Sequence, residues 1–182
     1  MREKLNIKDK RLIFICIILS MVSLFITQNY FKQAFPEASI KMNTTNEEAK
    51  VKAERFLANR GIDIGEFMHA KRFGYERDSK IFLEYHLSAE KAGEILNNTN
   101  GYYWRNRWFK PKHKEEVNVY YSTRGELRTY IHQIPEDESG ESLTQGNALN
   151  AAQFFLVGTM GIDIQNWELI ESKTEKLKNR WD

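Results

Sequence analysis

Apolar residues fall into three patterns along the chain. The first is a continuous run, residues 12–27 (LIFICIILSMVSLFIT), with no charge in it. The second is helical: Ala49, Ala53, Phe56 and Leu57 recur at i, i+4, i+7 and i+8 and form one face. The third is alternation. Tyr102, Trp104, Asn106 and Trp108 fall on one side of an extended segment, and Tyr103, Arg105, Arg107 and Phe109 on the other. Together with their punctuation these patterns predict the elements in order. Thr45 and Glu48 form a capping box at the start of a helix, and Gly61 ends it so that Ile62 folds back on the last turn. Residues 67–75 predict a strand with Phe67, His69, Phe73 and Tyr75 on one side. Residues 80–87 and 88–96 predict two short helices, the second capped by Ser88. Strands over 102–109, 116–121 and 127–134 follow, the last two joined by a hairpin turn at 122–126 that uses Gly125. An acidic loop, 135–141, leads to a second helix over 144–160, and 168–174 is a last strand candidate. Helices interleaved with antiparallel-looking strands predict an α+β fold.

The first helix has an echo. TNEEAKVKAERFLANRGIDIGEF (45–67) and TQGNALNAAQFFLVGTMGIDIQNW (144–167) share Thr, two Ala, a Phe-Leu pair, Gly-Ile-Asp-Ile and a closing aromatic at matching spacing. The second copy carries one extra residue before its glycine. It also adds Leu149, Ala151, Phe154 and Val157 round the cylinder, which predicts a helix covered on more than one side and therefore the more central of the two. The repeat suggests two helix-on-sheet units, of which the second has its helix and one strand at most. Either the final strand completes the first sheet, or the chain is a piece of a longer protein.

The apolar run, extended through Tyr30 and Phe31, reaches the roughly 20 residues that cross a hydrocarbon core. Arg2, Lys4, Lys8, Lys10 and Arg11 precede it, so the positive-inside rule puts the N-terminus in the cytoplasm and residues after about 32 outside. A cleaved signal peptide is the rival reading. It is disfavoured by the length of the run and by the lack of an A-x-A pattern in the following QNYFKQAFPEAS. The organisation expected is a cytoplasmic basic tail (1–11), a transmembrane anchor (12–31), a tether (32–43), a first α+β unit (44–143) and a second, truncated unit (144–182).

Composition narrows the chemistry. A formal charge of +2 in 182 residues does not by itself argue for a nucleic-acid binder. The single cysteine, Cys16, rules out an intramolecular disulfide and a cysteine-based metal site. His69, His86, His113 and His132 are scattered, and no H-E-x-x-H, G-x-S-x-G, Walker loop or G-x-G-x-x-G occurs. No catalytic residue, metal ligand or cofactor site is therefore assigned. YYWRNRWFKP (102–111) resembles a stacking platform for nucleic acid, but its period of two reads as a strand with a Trp-rich core face and an Arg-bearing outer face. Glu115 and Glu116 form a carboxylate pair that reads as a solvated strand start. Arg105, Arg107, Glu115 and Glu116 are the candidate interaction surface, with Arg105 and Arg107 suited to a membrane surface or an acidic partner.

The series A-x2-FL-x3-G-I-D, WRNRWFKPKHKEEV, the HQIPED segment, the second A-x2-FFL…G-I-D and the closing NRWD resembles the extracytoplasmic N-terminal region of certain bacterial CPBP (CAAX protease and bacteriocin-processing, or Abi) membrane proteins. The resemblance covers residues 45–182. It is carried best by Trp104, Arg105, Arg107, Trp108, Phe109, Pro111, Glu115, Glu116, Ile134, Pro135 and Glu136. It implies a PepSY-like α+β region preceding a polytopic intramembrane metalloprotease domain. The family's glutamate pair with arginine and its histidine motifs lie on membrane helices that have no counterpart here, so no catalytic residue carries over. The resemblance thus implies a non-catalytic regulatory or binding region whose partner is that membrane domain or a peptide segment. The alternative is a stand-alone single-span sensor or adaptor.

Overall fold

The computed structural model describes residues 6–140 and 142–180. Arg2 and Lys4 of the basic tail, Glu141 of the acidic loop, and Trp181 and Asp182 of the closing NRWD segment lie outside the described residues. The fold is α+β, with an N-terminal apolar helix and a four-stranded antiparallel sheet with helices. The chain divides into two compact units, Met1–Lys41 with Glu76–Thr99, and Met42–Tyr75 with Asn100–Asp182.

The first unit is helical. Helix α1 (Ile7–Ala34) begins before the apolar run because Asn6 and Asp9 form a capping box there. Its Ile7–Phe31 portion is long and apolar enough to cross a membrane. A 3-10 turn, Pro36–Ser39, follows. Between the strands of the other unit the chain supplies two helices to this one, α3 (Arg77–His86) and α4 (Ala89–Asn98), the latter capped by Ser88. Helix α4 packs on α1 and on the 3-10 turn. The Lys41 N–H donates to the Asn97 side-chain oxygen at 3.0 Å, which ties the end of the tether to α4.

The second unit is one helix on a sheet. Helix α2 (Asn46–Ala58) starts at the Thr45/Glu48 capping box and ends where Gly61, at φ +71°, lets the Ile62 N–H reach the Leu57 carbonyl at 3.0 Å. Strands β1 (Met68–Tyr75), β2 (Tyr102–Phe109), β3 (Glu116–Ser122) and β4 (Leu127–Gln133) pair in that order. The sheet's inner face meets α2: Ala49, Ala53 and Leu57, all fully buried, pack with Trp108, Val117, Val119 and Tyr121. Two alanines where the helix crosses the sheet let the backbone come close enough for these large side chains to fill the gap. The β3–β4 hairpin turns at Gly125, φ +89°, where a Cβ would lie 2.5 Å from Thr44 Oγ1. That close approach fastens the hairpin to the start of α2. The Asn43 and Thr44 N–H groups both donate to the Thr123 carbonyl, and Lys52 Nζ donates to the Gly125 carbonyl.

The repeat is present in the backbone. Helix α5 (Gln145–Phe154) is capped by Thr144 as α2 is by Thr45, and Gly161, at φ +68°, matches Gly61. The Asp63 and Asp163 side chains accept from Gly65 and Gln165 N–H at 2.9 Å in both copies. The extra residue of the second copy is taken up in a single wide turn, Phe155–Thr159, closed by Met160 N–H to the Phe155 carbonyl. Such π turns are how a helix absorbs one inserted residue.

Two expectations fail here. Residues 168–174 form no strand, so no final strand completes the first sheet among the described residues. Helix α5 is consequently not the central one: Ala148 and Ala152 are exposed, and Phe154 and Val157 keep 76% and 51% of their surface accessible. It touches the core through Phe155, whose ring lies 6.5 Å from that of its counterpart Phe56 and 6.2 Å from Tyr130, with the Arg60 guanidinium over all three rings.

Equivalent residues should therefore respond unequally. Leu57→Ala is expected to cost about 3 kcal/mol, and Leu156→Ala about 1 kcal/mol or less. Urea unfolding of the chain in detergent, followed by fluorescence of the buried Trp108, measures both.

Candidate functional site

The sheet's outer face carries the charged residues. Strand alternation sends Arg105 and Arg107 to the side opposite Trp104, Asn106 and Trp108, and registration adds the rest. Arg72 stands directly across from Arg105, Ala70 across from Arg107, Tyr120 beyond Arg105, and Asn118 beyond Arg107. An open groove of about 280 Å³ is lined by Ala70, Lys71, Arg72, Arg105 and Arg107.

Two of the guanidiniums are fixed from below. Arg105 donates from Nε and Nη2 to Asn118 Oδ1 at 3.0 and 2.8 Å. Arg107 donates from Nε to Glu116 Oε2 at 2.8 Å and also from Nη2 to the same oxygen. The Asn118 side-chain amide donates to Glu116 Oε1 at 2.9 Å, so the four residues form one chain of hydrogen bonds. Arg105 also lies over the Tyr120 ring and Arg107 over the Phe109 ring. Tyr120 in turn stacks on Tyr103, whose ring occupies the space left by Gly74. Arg72 is exposed and has no ion-pair partner among the described residues. Three arginines thus face one carboxylate across the groove. Among the described residues the remaining guanidinium N–H donors of Arg105 and Arg107 have no acceptor within the sheet.

The four residues expected to share a surface do not all do so. Arg105, Arg107 and Glu116 are together. Glu115, one residue earlier, points to the other side, where its Oε1 meets His132 Nε2 at 3.3 Å. Sequence reasoning missed Arg72 and Asn118. The signal for Arg72 is its place on β1 opposite Arg105, which needs the strand register. Asn118 alternates with Glu116 on β3 and was legible as an outer-face residue.

The inner face holds one polar pair. Asn106 is fully buried between Trp104 and Trp108, and its Oδ1 meets His69 Nε2 at 3.1 Å. His69 lies against the Trp108 ring, so this pair belongs to the core. Among the described residues no group of three or more His, Cys, Asp and Glu side chains is placed to hold a metal ion. No protein-family model, curated protein or solved structure matches the chain.

The Arg107 hydrogen bonds, then that of Asn118, hold the Glu116 carboxyl below its ordinary value of 4.5, against the opposing effect of burial. A carboxyl lowered in the folded state adds stability above its unfolded pKa and loses it as pH falls through the folded one. Stability should therefore drop as pH falls from about 5 to 3. Glu37, Glu47 and Glu48 are lowered too, so Glu116→Gln should reduce the slope without abolishing it. At neutral pH the same substitution should cost about 1 kcal/mol, since Arg107 is half-exposed. Thermal melts across that pH range provide the check, and an unchanged slope in the Gln variant would count against the pairing.

Proposed function

We propose that the chain is a non-catalytic, membrane-anchored binding region, with α1 as its anchor and the arginine groove as its docking point for an acidic segment. On this reading the positive flank of α1 puts its N-terminus in the cytoplasm and the residues after about 32 outside. The observation that carries the binding role is the arrangement of Arg72, Arg105 and Arg107. Like charges directly opposite on a sheet are destabilising, and Arg72 stands directly opposite Arg105. Arg105 is held by a neutral amide and so keeps its charge for something else. Arginine forks fixed in position recognise carboxylates and phosphates with two hydrogen bonds each.

The resemblance to the CPBP proteins gives this region a partner. On that reading unit two is PepSY-like, its second copy is incomplete, and the acidic segment belongs to an intramembrane metalloprotease domain of the CAAX-protease kind. The region then regulates access to that domain. A second reading is a stand-alone sensor or adaptor. It is favoured by the first helix-on-sheet copy, whose core closes without help from α5.

Two measurements separate these. The reading frame past Asp182 is expected to encode several apolar spans and an E-E-x3-R motif, and a stop codon there leaves the stand-alone reading. A photo-crosslinking residue at Ala70, the groove floor, is expected to give one main adduct in native membranes. Arg72→Glu with Arg105→Glu should lower its yield about tenfold, equivalent to ~1.4 kcal/mol. An adduct that survives charge reversal unchanged would remove the acidic-partner proposal.

A further inference from the structure

Helix α3 has its apolar face on the wrong side for a soluble protein. Asp78, Ile81, Phe82, Tyr85 and His86 lie at i, i+3, i+4, i+7 and i+8 and make one stripe lining a shallow groove. A stripe of that spacing ordinarily turns to a core. Here Ile81 is 54%, Phe82 63% and Tyr85 84% exposed. The aromatic rings are ordered against one another instead, with Phe82 and Tyr85 both contacting His86 at 4.6 and 5.1 Å.

The position of α3 along α1 says what covers this face. Lys80, on the side away from the stripe, reaches Glu37 at 2.6 Å, and its Nζ also meets Glu84 at 3.2 Å. Glu37 lies three residues after the last residue of α1. The ion pair therefore fixes α3 level with the end of the apolar helix, within the same compact unit. That end of α1 is itself ringed by exposed aromatics, Tyr30, Phe31 and Phe35. Tyrosine and other amphipathic rings collect at the level where hydrocarbon meets headgroups. Ile81, Phe82 and Tyr85 add a second exposed apolar surface to this unit, on a helix tied by Lys80 to the residues just past the end of α1.

Resting on the reading of α1 as a membrane anchor, we propose that α3 lies in the membrane surface, with Ile81, Phe82 and Tyr85 inserted among the lipid headgroups and upper acyl chains. The occupant of the groove is lipid. An amphipathic helix in this plane sinks to about 5–10 Å and is held by its apolar area. Helix α4, which packs on α1 and the 3-10 turn, is then held at a set height above the bilayer.

The test uses the full chain in vesicles of phosphatidylcholine with phosphatidylglycerol, with Cys16→Ser as background. Environment-sensitive labels are placed singly by Leu19→Cys, Phe82→Cys, Tyr85→Cys and Lys91→Cys. All four positions are exposed, so the labels leave the packing intact. Lipids carrying a shallow quencher are expected to quench the labels at 82 and 85 about threefold more than the one at 91, as for an interfacial helix. The label at 19 should respond best to a deep quencher. If it responds to neither lipid quencher, the anchor reading fails and this inference with it. If 19 is quenched while 82 and 85 are reached only by aqueous iodide, the anchor stands and α3 is not in the membrane. Labels at 82 and 85 shielded from both lipid and iodide mean that protein covers the face, which also overturns the proposal.

Discussion

The second unit depends on one contact, the small-residue face of α2 laid against Trp108, Val117, Val119 and Tyr121. Alanine at 49 and 53 fixes how near the helix lies. That distance then decides what else fits. It brings the start of α2 to the β3–β4 hairpin, where Gly125 has no room for a side chain. It lets Trp104 donate from Nε1 to the Thr44 carbonyl at 2.8 Å, just before the capping box. It also seals Asn106 inside, where the Nδ2 group has no hydrogen-bond partner among the described residues. An unmet buried donor costs about 1–3 kcal/mol. The aromatic and aliphatic area buried around it is large enough to carry that cost, since each large core side chain contributes about 1.5–3 kcal/mol.

Much of this was legible because the decisive signals are local. The capping box at Thr45, the left-handed glycine at 61 and the alternation of residues 102–109 each specify an element without tertiary information. The four strands of the sheet were found within a residue or two for the same reason, whereas the candidate at 168–174 forms none. What was not legible is pairing. Nothing in the spacing of β1 says that Arg72 stands opposite Arg105, since the register is set by all four strands together. Glu115 and Glu116 looked like a pair because they adjoin, yet in a strand adjacent side chains point to opposite faces. Helix α1 was longer than its apolar run because Asn6 and Asp9 cap it among charged residues.

Helix α5 separates what a helix needs from what a core needs. Its cap, its terminal glycine and its following aspartate turn all repeat those of α2, although Ala148 and Ala152 have no sheet against them. These features act within a turn or two of chain, so they hold with or without a partner. Ten α-helical residues are too few for a stable helix in water by propensity alone. The contact that holds α5 is therefore tertiary. It is supplied by Phe155, seated with Phe56 and Tyr130 around the Arg60 guanidinium. Phe56 and Phe155 are the same position in the two copies. The repeat thus meets itself at its own phenylalanine, with a cation shared between the rings.

That arrangement also explains why the extra residue sits where it does. The wide turn Phe155–Thr159 begins at the phenylalanine that makes the contact and lies wholly on its C-terminal side. Residues from Thr144 to Phe155 keep the spacing of residues 45–56, so the face that reaches the first copy is undisturbed. Beyond it the chain is shifted by one residue, and Gly161 takes up the left-handed conformation one position later than the first copy would place it. An insertion ahead of Phe155 would rotate the following residues by about 100° and carry the ring away from Tyr130 and Arg60. Placed after it, the same insertion leaves Phe155 where it was.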